Sequence, residues 1–141
     1  MPYDLSKTFV VNDVLGSWDA LDVTNLIIDK NSWESNWHSA SRNDPTQWHW
    51  HRELWQDKTG LFEIEKDVME NTPSLHLLWK RIQAMMYSHY NLWFVPVRAY
   101  ANAHTFGLDG SMHRDDGDMT VVYYPAVDWN TNWEGGTALY D

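Results

Sequence analysis

Cysteine is absent from the 141 residues, so neither a disulfide nor a thiolate zinc site is open to this chain. Basic residues are scarce too. Ten Lys and Arg stand against twenty Asp and Glu, a formal net charge of -10. Phosphate backbones are gripped by a basic surface, so nucleic acid is excluded as an expected partner. Anionic membrane surfaces are disfavoured on the same ground. No apolar run approaches the roughly 20 residues that cross a bilayer, and Asp4 and Lys7 interrupt the N-terminus where a secretory leader would need a continuous apolar core. The expectation is a soluble, cytoplasmic protein whose oligomeric state the sequence leaves open.

Aromatic residues, by contrast, are plentiful. Ten Trp and seven Tyr within 43% hydrophobic content supply a core and exclude wholesale disorder. The length suits one domain, residues 1–141. Without thiolates, a metal must sit on histidine, carboxylate or water, which suits iron(II), manganese or magnesium better than a structural zinc.

Along the chain, "KTFVVNDVLG" (7–16) reads as a short strand closed by an Asn-Asp turn. "SWDALDVTNLIIDK" (17–30) reads as an amphipathic helix with Ser17 as its cap and Trp18, Leu21, Val23, Leu26 and Ile27 as its apolar stripe. Residues 31–47 are polar, with "NDP" at 43–45 as a turn signal. "PSLHLLWKRIQAMMYSHY" (73–90) is the clearest helix, with Pro73 in its first turn and a stripe of Leu75, Leu78, Trp79, Ile82, Met85 and Met86. Strand character follows over 91–102, with Pro96 marking an edge or bulge, then over 119–127, and a third strand begins at Gly135. Helices first and short strands last predict an α+β fold, a helical layer on an antiparallel sheet or jelly roll.

Three stretches carry metal-binding side chains. "GLDGSMHRDDGDMTVVYY" (107–124) holds His113 and Asp115 two positions apart. On extended backbone such residues face the same way about 6–7 Å apart, and an imidazole and a carboxylate can then share an ion at about 2.0–2.2 Å. Completed by a second histidine, this is a face that leaves coordination positions open for a cosubstrate and oxygen. The triplet alone is weak, since composition yields about one His-x-Asp by chance. "HWHRE" (49–53) is the rival: as a strand it turns His49, His51 and Glu53 to one side and Trp48, Trp50 and Arg52 to the other. Its outer pair would lie about 13 Å apart, too far for one ion. The plainer reading there is a Trp-lined core face with a polar solvent face. His104, in "HTFGLDG", reads as a loop histidine.

What distinguishes 107–124 is its setting. "RAYAN" leads in, a glycine-bearing loop presents the pair, "TVVYYP" leads out, and "WNTNWEGGTALYD" follows. In that order and spacing, residues 100–141 resemble the catalytic core of the iron(II)- and 2-oxoglutarate-dependent dioxygenases, in the prolyl 4-hydroxylase-like branch. The resemblance is close over about the last fifty residues and looser before them. It implies a partial double-stranded β-helix of jelly-roll, cupin-like form, with residues 1–90 as helical support and 91–141 as the first core strands. It implies His113 and Asp115 as iron(II) ligands, Tyr100 as a hydroxyl donor to 2-oxoglutarate, and Arg114 turned away from the ion. The carboxylate at Asp115 marks a hydroxylase rather than a halogenase. Its substrate would be a peptide or a small molecule, with a peptidyl proline by analogy and the Trp-rich span 33–55 as a groove or, more simply, as packing.

The family's second histidine and its carboxylate-binding basic residue lie downstream of the Gly pair, and the sequence ends at Asp141. His38, His49, His51, His76 and His89 match no family position. The expectation is thus an N-terminal portion of the enzyme, with unpaired strand edges that favour association. Two alternatives stand beside it: a non-catalytic, Trp-rich β-sandwich binding module with an acidic calcium loop, and an inactive relative that binds no metal.

Overall fold

A computed structural model describes residues 8–29, 33–37, 48–56, 72–105, 107–108, 110, 112–115, 117–126 and 128–139, with the side chains of 55, 56 and 131 left aside. The elements run α1 (Ser17–Ile28), β1 (Glu34–Trp37), β2 (His49–Gln56), α2 (Pro73–Tyr90) and β3 (Arg98–Ala103), then a short 3-10 turn at Thr131–Trp133. The three strands form one antiparallel sheet in the order β1-β2-β3. The fold is α+β, as expected. A second sheet, which a jelly roll or a sandwich would need, is not found among the described residues.

Both predicted helices form. Pro73 occupies the first turn of α2, where its missing N–H costs nothing. Asn91 ends the helix in the left-handed conformation, φ 54°, with its N–H on Tyr87 O at 2.9 Å. Leu75, Leu78 and Met86 are buried as the stripe requires. The apolar periodicity omits Gln83, which is equally buried. Its amide donates to Phe94 O and accepts the Phe94 N–H at 3.2 Å, so one side chain satisfies the backbone of the segment leading to β3.

For α1 the expected stripe holds in part. Val23 is buried and Leu26 and Ile27 pack against the core, with Ala20 beside them, whereas Trp18 is 83% exposed and Leu21 lies outward. The cap is Gly16 rather than Ser17, without a side-chain bond. Hydrophobicity alone misplaces part of the face because the small Ala20 sits where the helix meets the sheet. The carbonyls at the end of α1 are met from outside: the Arg52 guanidinium donates to Leu26 O and, at 3.4 Å, to Asp29 O, and the Trp33 indole N–H donates to Ile27 O at 2.7 Å.

One side of the sheet packs on the helices. Leu54 joins Leu15, Ala20, Val23, Leu75 and Leu78 in the core, with Ala99 and Ala101 of β3 against them. The predicted strands over 7–16, 119–127 and from Gly135 carry no ladder among the described residues. Residues 119–126 instead run past α1 as an unpaired segment. Tyr123 lies against the core, and the Thr24 hydroxyl sits 2.9 Å from Ala20 O and 2.6 Å from Pro125 O. Beyond it a Trp-containing turn forms as expected. The Trp129 indole N–H donates to Glu134 O at 3.0 Å, and its ring meets Trp133 edge to face. Its ring lies where a Cβ on Gly135 would come within 3.1 Å, and Gly135 has φ +82°, so that position demands glycine twice over. The "NDP" turn, His38 and the rest of 38–47 lie outside the described residues.

Replacing buried Leu78 by Ala should lower the unfolding free energy by about 2–5 kcal/mol. Removing exposed Trp18 should change it by no more than about 0.5 kcal/mol. Urea unfolding followed by circular dichroism measures both, and equal losses would contradict this assignment of the core.

Candidate metal centre

Strand register decides which side chains meet. Opposed residues of an antiparallel pair point to one face. Pairing of His51 with Asn102 and Glu53 with Tyr100 puts these four on the face away from the helices, and pairing of Glu34 with His51 and Trp37 with His49 adds β1 to it. Arg98, two residues before Tyr100, belongs to the same row.

"HWHRE" is therefore a strand whose Trp50 and Arg52 side faces the helices, as the plainer reading has it, but whose histidine side is buried rather than open to solvent. His49 and His51 are about 95% buried, Arg52 and Leu54 turn to the helices, and Trp50 is 44% exposed. The histidine side is covered by rings from the neighbouring strands and from the residue after β3. Trp37 stacks on His51 with centroids 4.2 Å apart, Tyr100 tilts against the same His51 ring at 5.2 Å, and His104 meets His49 at 4.9 Å. His51 is held at both nitrogens: Nδ1 lies 3.0 Å from Asn102 Oδ1 and Nε2 lies 3.3 Å from Glu53 Oε2. It is fastened to its neighbours, with neither nitrogen directed to an ion.

After β3 the chain turns with the Leu108 N–H on Thr105 O at 2.9 Å, and Gly107 and Gly117 take φ +81° and +107°. This loop carries His113 and Asp115. His113 Nε2 and Asp115 Oδ1 converge to 3.5 Å, both partly exposed. Asp115 Oδ1 also lies 3.8 Å from the Arg98 guanidinium, which in turn sits 5.0 Å above the Tyr100 ring. The loop pair is thus joined to the polar row of β3. Arg114 is exposed, in keeping with an outward middle residue.

Two donors on one first-row ion at about 2.0–2.2 Å can be no more than about 4.4 Å apart. The observed 3.5 Å meets that limit, and imidazole with carboxylate suits a divalent ion such as iron(II) or manganese. Among the described residues no group of three or more such donors occurs. The sequence pattern singles out His113, Asp115 and Tyr100. It passes over Arg98, Asn102 and Trp37, which the strand register sets on one face with His51.

Compared with known protein families, characterised proteins and solved structures, the chain matches none. Among the described residues no helix is long and apolar enough to cross a membrane.

Burial raises the Tyr100 hydroxyl above its ordinary value near 10; the Asp115 and Glu53 charges push the same way and Arg98 opposes them. Burial alone raises Tyr123. A group whose folded value is raised favours the fold below its unfolded value, and that contribution is lost as pH climbs through the raised one. Stability should therefore fall above about pH 10, the free tyrosine value, and Tyr100→Phe should flatten the fall. Thermal unfolding across the alkaline range tests this; an unchanged slope would contradict it.

Proposed function

We propose that this chain carries part of the catalytic centre of an iron(II)- and 2-oxoglutarate-dependent dioxygenase acting as a hydroxylase. One observation carries the reading: an imidazole and a carboxylate from a glycine-bearing loop approach to 3.5 Å beside the Tyr100 row of β3. His113 and Asp115 would hold the ion, and their placement on one side of the loop orients both donors. Bound iron and 2-oxoglutarate supply the oxidative decarboxylation coupled to hydroxylation. Tyr100 stays protonated through the neutral range, because its hydroxyl is shifted upward, and so presents a donor to the cosubstrate carboxylate. Arg98 neutralises part of the Asp115 charge. The acceptor is a peptide or a small molecule.

Manganese binding, followed by electron paramagnetic resonance, supplies a readout independent of turnover. His113→Ala and Asp115→Ala should each weaken it at least about tenfold, the scale at which coordination partners act. Each should also abolish substrate-dependent succinate release. Wild-type manganese affinity in both variants would remove the pair from any metal centre.

A further inference from the structure

The polar face continues from the loop pair across the sheet to a feature that the proposed chemistry does not use. We propose that Trp37, flanked by Glu34 and Glu53, docks the protonated side chain of a basic peptide; this names the substrate class of the hydroxylase reading and rests on it.

Trp37 has one indole face stacked on the His51 ring, centroids 4.2 Å apart and nearly parallel, and is 43% exposed, so its other face meets solvent. A ring pinned from behind is a ready platform, because little rotamer freedom remains to be lost on binding. Glu34 and Trp37 stand three residues apart, which would put them on opposite faces of a regular strand. An irregularity between them restores both to the face of His51 and His49. Glu53 stands one strand away, its side chain 48% exposed and touching His51 Nε2.

Charge selects the occupant. Three carboxylates, Glu34, Glu53 and Asp115, share this face with one guanidinium among the described residues. That guanidinium, Arg98, leans on Tyr100 and Asp115 at the far end. Neither glutamate meets a lysine or arginine among the described residues. An indole face attracts cations through its quadrupole, and the two carboxylates add to that attraction while repelling anions. The chain's charge of -10 steers basic partners in the same sense. A neutral side chain would use the ring alone; a lysine or arginine uses all three groups.

The test titrates the full chain by calorimetry with a short peptide bearing one central lysine, and with counterparts bearing norleucine or glutamate there. The lysine peptide should bind about tenfold tighter than the norleucine one, glutamate should bind more weakly still, and the preference should shrink with added salt. Trp37→Ala should abolish the preference. The isosteric double variant Glu34→Gln/Glu53→Gln should reduce it about threefold, and because it keeps side-chain shape it guards against a folding loss in the tryptophan variant. His113→Ala should keep the preference while losing manganese. Equal lysine and norleucine affinities, no saturable lysine-peptide binding, or an unaltered preference in the double glutamine variant would each overturn the proposal. Lysine selectivity in a protein that never binds manganese would instead overturn the hydroxylase reading and leave a basic-peptide surface.

Discussion

The guanidinium of Arg52 decides how this molecule is put together. It is 5% exposed, and burying such a charge costs several kcal/mol unless strong acceptors replace its water. The acceptors are Leu26 O and Asp29 O, at the end of α1, where unpaired carbonyls and the helix dipole gather negative potential. Charge-assisted bonds of this kind are worth about 1.5–3 kcal/mol each. Neither side can do without the other, because α1 ends without a basic residue in its last turn. The contact docks a helix to a sheet, and it also settles which side of β2 faces inward.

That choice propagates by the two-residue period of a strand. With Arg52 and Leu54 turned to the helices, His49, His51 and Glu53 must take the other side, and a slip by one residue would reverse them all. β3 obeys the same rule through its alternation of Ala with Arg, Tyr and Asn. Ala99 and Ala101 let the sheet approach the helices closely, and its polar residues form a row beside the histidines. The result is a sheet with one apolar side and one that reads Trp37, His51, Tyr100, Arg98 across three strands. Each ring or planar group there lies about 4–5 Å from the next, the spacing of stacked planar groups.

Much of this was legible beforehand. The helix over Pro73–Tyr90 was readable because Pro73 marks its start, a three-and-four stripe runs along it and strand-like composition follows it. The His113–Asp115 pair and Tyr100 could be singled out because loop glycines and flanking strand residues frame them. Other features were not readable, for definite reasons. Ala20 carries too little hydrophobicity to outvote Trp18 in locating the face of α1. Gln83 is buried for its hydrogen bonds to Phe94, which no apolar pattern registers. The burial of the histidine side of β2 was not readable either, because histidine looks like surface until Trp37, Tyr100 and His104 are seen against it. The β-branched and aromatic run at 119–126 has strand composition, yet composition does not supply a partner. Among the described residues, Tyr123 and the Thr24–Pro125 contact hold it to the body.

The division of labour in the site follows from these constraints. Strands hold side chains more exactly than loops do, and the groups that need only shape and charge, Tyr100, Arg98, His51 and Trp37, stand on strands. His113 and Asp115 stand on a loop that reaches them through two left-handed glycines, a path that strand backbone cannot follow. A loop alone would leave such a pair loosely placed. Here its position is constrained through Arg98, which touches Asp115 on one side and the Tyr100 ring on the other. Through Tyr100 and His51 that contact continues to β2 and β1. The placement of the two donors is therefore a property of the sheet, and traces back along the strand alternation to Arg52.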